Sequence, residues 1–344
     1  MARLTRAETQ ERNRAKVLAA ARAEFAERGY RESKVDAIAE RADLTRGAVY
    51  SNFPGKQALY FAVLAEDAER AAAAPHAEPG LTPPEALGAL ARAWVARLPF
   101  PGEPHVGQHL YAEALTGERT RRPFTQLLKL DALLLSLALE RLRPLKKPAG
   151  GPAPRLVRLA ETVLTTLHGA SQLADFVEAF DVVSACEQLA ALELNDYWAP
   201  PQRSPVPQRA DEPWPSPVAH DLVTGESVEI GDGVLAVLGL HRLPAVEQAI
   251  RAGADVTLAL VTDTPAELEP LARLMITDLC RCLRQAVPRS ALPSVRVVSA
   301  PLGAVSERDN ETEVALRIEA GKVVARAEGP GACHSIATGQ RVSA

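Results

Sequence analysis

Apolar residues recur at three- and four-residue intervals as far as about position 198, and give way to short continuous apolar runs after about position 225. Over residues 11–28, Val17, Leu18, Ala21 and Phe25 fall on one side, with Arg12, Arg14, Lys16, Glu24 and Glu27 opposite. That spacing predicts an amphipathic helix. Gly29 is its expected stop, because glycine tolerates a left-handed residue. A second helix is expected from Ser33, an N-cap residue type, with Asp36 three residues on and Val35, Ile38 and Ala39 inward. It ends near Ala42, and Asp43-Leu44 form a tight turn. Thr45 caps a short third helix, residues 46–52, with Val49 inward. A fourth opens at Lys56 and buries Leu59, Val63 and Leu64.

Breakers then divide the chain: Pro75 to Pro84, Pro99-Phe100-Pro101-Gly102, and residues 143–154 with four prolines. Helices are expected between them at 84–98, 104–117, 123–142, 155–178 and 181–198. The third of these carries Leu127, Leu128, Leu130, Leu133, Leu134, Leu135, Leu137, Leu139 and Leu142, so most of its sides must be covered. Residues 199–217 hold seven prolines and predict an extended linker.

Beyond it, residues 226–230 and 234–240 read as strand, turn and strand around Gly231-Asp232-Gly233. Residues 243–252 read as a short helix ended by Gly253, and 256–261 as a buried strand. Thr264-Pro265-Ala266-Glu267 has the form of a capping box before a helix with Leu268, Leu271, Met275, Leu279, Leu283 and Ala286 inward. Residues 295–299 form another strand. Residues 312–327 read as a hairpin turning at Ala320-Gly321. The expected fold is mainly α: a three-helix head over 1–60 with a helix-turn-helix at about 33–52, and an all-helical domain over 61–198. The linker at 199–217 then leads to a smaller α/β domain over 218–344.

The length of 344 residues accommodates two domains, and 47% hydrophobic with 24% charged residues is ordinary globular composition. The longest apolar run, near residues 132–139, is far short of the roughly 20 residues a membrane helix needs. The N-terminus lacks an apolar signal core, so a cytoplasmic location is expected. Net charge is −4, yet residues 1–60 carry 12 Lys and Arg against 8 Asp and Glu, while residues 218–344 carry 12 against 16. A basic head on an acidic body is the asymmetry of a DNA-binding module. Cys280 and Cys282 fall about 200° apart around a helix and cannot share one metal. His105 and His109 have ligand spacing, but no carboxylate or cysteine pattern completes a site. No metal or cofactor is expected.

Two short helices joined by a tight turn match a helix-turn-helix. Its second helix must enter the major groove, and Arg46, Gly47, Ala48 and Ser51 supply small residues and donors on its exposed side. Arg46 can reach guanine O6 and N7 in bidentate fashion. Tyr50 can offer its hydroxyl to phosphate, and Lys56, opening a helix, its ammonium. Ser33, Lys34, Thr45 and Asn52 complete the candidate DNA-facing set, with capping or solvated roles open for Ser33 and Lys34. Arg3 and Arg6 suit either a minor-groove arm or a free tail.

The run Phe25, Gly29-Tyr30, Val35-Asp36-Ala37-Ile38-Ala39, Leu44 through Lys56, and Leu59 resembles the DNA-binding domain of the tetracycline-repressor (TetR) family across about residues 10–70. Asp43 departs from the glycine common there. The resemblance implies an all-helical effector domain whose last two helices, here 155–178 and 181–198, pair with those of a second subunit. Leu156, Leu159, Val163, Leu164, Leu167, Val182, Val183, Cys186, Leu189 and Leu192 give those helices apolar faces. Trp94, His109, Tyr111, Glu113, His168, Gln172 and Phe176 mix aromatic surface with hydrogen-bonding groups, as ligand pockets do. The partners implied are operator DNA, a second copy of the chain and a small-molecule effector, and the implied role is a repressor.

The α/β region has no nucleotide fingerprint, nucleophile elbow or zinc spacing. Asp255, Asp263 and Asp278 read as solvated or capping carboxylates, and Cys333-His334 as neighbours facing apart. No enzyme is expected. The alternative is a DNA-tethered catalytic or binding module in this region.

Overall fold

The computed structural model describes residues 5–71, 78–98, 106–143, 155–174, 176–194, 196, 201–299 and 309–339. The breaks expected at 99–102 and 144–154, together with Arg3, His105 and Trp198, lie outside the described residues. No described helix is long and apolar enough to cross a membrane.

The head comprises α1 (Arg6–Glu32), α2 (Val35–Arg41), α3 (Arg46–Tyr50) and α4 (Lys56–Arg70). Helix α1 starts earlier than the apolar spacing suggests, because Thr5 and Glu8 form a reciprocal capping box. Gly29, at φ +72°, breaks it as expected. The body continues with α5 (Pro83–Val95), a 3-10 turn (Val106–His109), α6 (Leu110–Thr116), α7 (Arg121–Leu142), α8 (Val157–Gln172) and α9 (Ala179–Leu189). Both α8 and α9 stop short of the expected 178 and 198.

The strands are β1 (Gln208–Pro213), β2 (Val218–His220), β3 (Ser227–Glu229), β4 (Gly233–Gly239), β5 (Val256–Val261), β6 (Arg296–Val298), β7 (Glu313–Glu319) and β8 (Lys322–Glu328). Three helices accompany them: α10 (Val246–Arg251), α11 (Pro265–Ala286) and α12 (Ala332–Thr338). One sheet runs β1-β8-β7-β4-β5-β6, and β2-β3 forms a separate hairpin. The pairs β4–β5 and β5–β6 are parallel, the others antiparallel. The expected turn at Ala320-Gly321 joins β7 to β8, with both residues at positive φ as a two-residue hairpin requires.

Three expectations need correction. Residues 208–213 of the proline-rich stretch are not linker but strand β1, placed at the sheet edge, where a missing N–H costs no ladder bond. The strands on either side of Gly231-Asp232-Gly233 do not pair with each other: β3 pairs with β2, and β4 lies between β5 and β7. Thr264 makes no capping bond, its hydroxyl donating instead to Asp263 at 3.2 Å.

Nor does the α/β region stand apart. Side chains alternate along β4 and β5, so Leu235, Val237, Ala259 and Val261 pack with Trp214 and Ile230 on one sheet face. On the other face Val234, Ala236, Leu238, Val256 and Leu258 join a core that runs unbroken through α11 into the helical body. Helix α11 is buried on most sides, with Leu268, Leu271, Leu279, Cys280, Cys282 and Leu283 at 1% exposure or less, because it lies between the sheet and helices α4, α5 and α7. Polar ties reinforce the junction: Arg273 to Glu69 at 2.5 Å, Arg122 to Glu311 at 2.5 Å, and Gly80 N–H to the Ala286 carbonyl at 2.9 Å.

With one continuous core, the chain should unfold in a single step. Urea transitions followed by far-ultraviolet dichroism and by tryptophan fluorescence should coincide; two separated transitions would contradict the shared core.

Candidate nucleic-acid interface and ligand cavity

The turn between α2 and α3 is closed by Leu44 N–H to the Ala39 carbonyl at 3.0 Å, and Asp43 within it takes φ +55°. That left-handed residue gives the physical reason why glycine suits this position, and aspartate is among the few side chains that tolerate it. Thr45 then caps α3, its Oγ1 accepting from Ala48 N–H at 3.2 Å. Val49 and Phe53 are buried beneath, so α3 presents Thr45, Arg46, Gly47, Tyr50 and Ser51 outward, with Ala48 half-buried. Arg46 is steered along this surface by Asp36 at 3.3 Å and by the Tyr50 ring at 5.5 Å. Lys34 is exposed at the start of α2. Ser51 Oγ and Asn52 Nδ2 each donate to the Ala48 carbonyl at 2.9 Å, which ties both to the end of α3.

Two residues expected at this surface serve the interior. Ser33 is 3% exposed, and its hydroxyl donates to the carbonyls of Glu24 and Gly29. It does not cap α2, because its hydroxyl is taken up by carbonyls of α1. Lys56 directs its ammonium to the carbonyls of Tyr30 at 2.9 Å, Ser33 at 3.0 Å and Arg31 at 3.2 Å, over the Tyr30 ring. It therefore locks the corner between α1 and α2.

In the body, Trp94, Tyr111 and His168 do come together. Trp94 Nε1 donates to Ser171 Oγ at 2.8 Å, and its ring meets the His168 imidazole at 5.0 Å. Tyr111 hydrogen-bonds His168 Nδ1. Burial, aided by the nearby Arg97 charge, depresses the His168 pKa to about 4. A cavity of about 240 Å³ opens beside Trp94 and Tyr111, with Gln172 at its margin. Residues that spacing did not reveal line it as well, among them Ser171, Arg97, Asp278 and Arg281. Arg97 stacks on Trp94 at 4.8 Å and pairs with Asp278 at 2.5 Å, so Asp278 is neither a solvated nor a capping carboxylate. These residues stand far apart along the chain, and no local pattern connects them.

The other three pocket residues lie elsewhere. His109 faces Tyr30, with ring centroids 6.4 Å apart, and Glu113 lies beside the Tyr30 hydroxyl while its backbone carbonyl accepts from Gln57. Phe176 is 85% exposed. Leu173 at the end of α8, Phe180 on α9 and Leu192 beyond α9 are exposed as well.

Such a head, with a short capped helix projecting from a buried base, has the form of a helix-turn-helix. Residues 17–63 match the profile of the bacterial regulatory proteins of the tetR family. A curated relative, the HTH-type transcriptional repressor Rv1474c of Mycobacterium tuberculosis, is 42% identical over 60 residues, 17% of this chain. The chain spans about a third of that relative's length (32%). Among solved structures, a TetR transcriptional regulator from Rhodococcus sp. RHA1 aligns at 18% identity and TM-score 0.35, covering 53% of this chain and 95% of its own. RolR in complex with resorcinol aligns at 19% and 0.32, covering 56% and 99%.

Replacing Lys56 by methionine should lower stability by about 1–3 kcal/mol, since carbonyls of the α1–α2 corner lose a charged donor; an unchanged urea midpoint would contradict this role. His168 has a folded pKa below its unfolded value of 6.5. Its contribution is therefore complete above pH 6.5 and is lost as pH falls toward about 4, by about 3 kcal/mol in all. A His168→Phe variant should show a flatter stability profile between those limits, and an unaltered acid limb would refute the assignment.

Proposed function

We propose that the chain is a DNA-binding transcription regulator of the repressor type, acting in the cytoplasm as a homodimer on a palindromic operator and released by a small-molecule effector. The observation that carries this reading is the outward face of α3, where Arg46 stands exposed on a helix held from below by Val49 and Phe53. A helix so mounted fits the major groove, and two copies related by a two-fold axis would meet successive grooves about 34–36 Å apart.

The exposed Leu173, Phe176 and Phe180, at the end of α8 and the start of α9, favour a second copy as the cover of this surface, since exposed large apolar side chains close together in the chain mark an interface. The cavity beside Trp94 and Tyr111 combines aromatic walls with a few polar groups, as effector sites do. In this reading the α/β region performs no reaction of its own.

Selection of duplexes from a random pool by the full chain tests the proposal. It should enrich an inverted repeat bound with a steep salt dependence. Arg46→Ala should then cost about 1–3 kcal/mol and relax preference at one position in each half-site. Failure to enrich any sequence, or an equal loss on all sequences, would overturn it.

A further inference from the structure

The cavity lies where three helices end. Asp67, Ala68 and Ala71 close α4, Trp94 and Arg97 stand at the end of α5, and Ser171 and Gln172 finish α8; all of them line it. Each helix C-terminus carries about half a negative charge on its last carbonyls. The carboxylates of the lining are already matched, Asp67 by Arg22 at 2.6 Å and Asp278 by Arg97 at 2.5 Å, so the helix ends rather than net charge set that field. The rings of Trp94 and Tyr111 supply π faces, which also attract cations, and that of Trp94 already carries Arg97 at 4.8 Å.

The fourth wall is α11, from the α/β region, through Leu274, Asp278 and Arg281. Arg281 already acts as the cation of this field: it donates to the Ala68 carbonyl at 2.7 Å and to the Ala71 carbonyl at 2.5 Å, holding the last turn of α4.

We propose that the α/β region is the second half of the sensor, and that its cavity binds a small organic cation with an aromatic or apolar body, in competition with Arg281 for the terminal carbonyls of α4. This rests on the regulator reading only for its consequence, namely that a released α4 alters the DNA-reading head; the binding chemistry stands independently. The cavity, of about 240 Å³, has room for a single ring bearing one charged group.

The test is calorimetric titration of the full chain, without DNA, with benzylammonium, benzyl alcohol and benzoate. Benzylammonium should bind roughly tenfold more tightly than benzyl alcohol, and benzoate most weakly. Arg281→Ala removes the competitor and should tighten benzylammonium binding several-fold, whereas Arg281→Lys, which keeps a cation there, should stay near the parent value. A variant that merely misfolds would bind less, the opposite sign. Equal affinity for the three probes, no binding of any, or no gain in Arg281→Ala overturns the proposal. Absence of duplex enrichment together with selective benzylammonium binding would refute the regulator reading and leave the ligand chemistry standing.

Discussion

A helix that ends inside a protein leaves carbonyls without partners, and this chain meets that constraint with cations sent from other elements. Lys56 serves the end of α1, Arg281 the end of α4, and Arg317 the end of α12 through Ile336 and Ala337. The first two act on one rod. Helix α4 is tied to the reading head at its first residue and to the α/β region at its last turn. Either tie shifts with α4, so the head and the distant sheet share one mechanical element.

Helix α11 gives that element its backing. Buried on most sides, it belongs to the sheet by connection and to the helical body by packing. Three of its polar residues reach across to the helical body: Asp278 to Arg97, Arg273 to Glu69, Arg281 to α4. The α/β region is thus a structural part of the cavity rather than an addition behind a flexible spacer.

The head was legible because its signals are local. Apolar spacing, the stop at Gly29 and the cap at Thr45 all act within a few residues, and the structure repeats them almost position by position. The intramolecular partners of Ser33 and Lys56 were not legible, because their residue types suit a cap, a phosphate contact or a carbonyl contact equally well. Only the fold brings the α1 carbonyls to them. The strand-turn-strand pattern around Asp232 marked both strands but not their partners, which lie far along the chain. The cavity was half legible: aromatic Trp94, Tyr111 and His168 stand out in a sequence poor in aromatics, while Arg97 and Asp278 are 181 residues apart. Phe176 has an aromatic side chain without the enclosure, since α8 ends before it.

The most direct test of α4 as the shared rod is amide hydrogen exchange in the full chain, with and without an enriched duplex. By reciprocity of coupling, binding at α3 should change exchange rates in the last turn of α4 and in residues 273–284 of α11, far from the duplex. Changes confined to residues 33–56, with α11 unaffected, would contradict it.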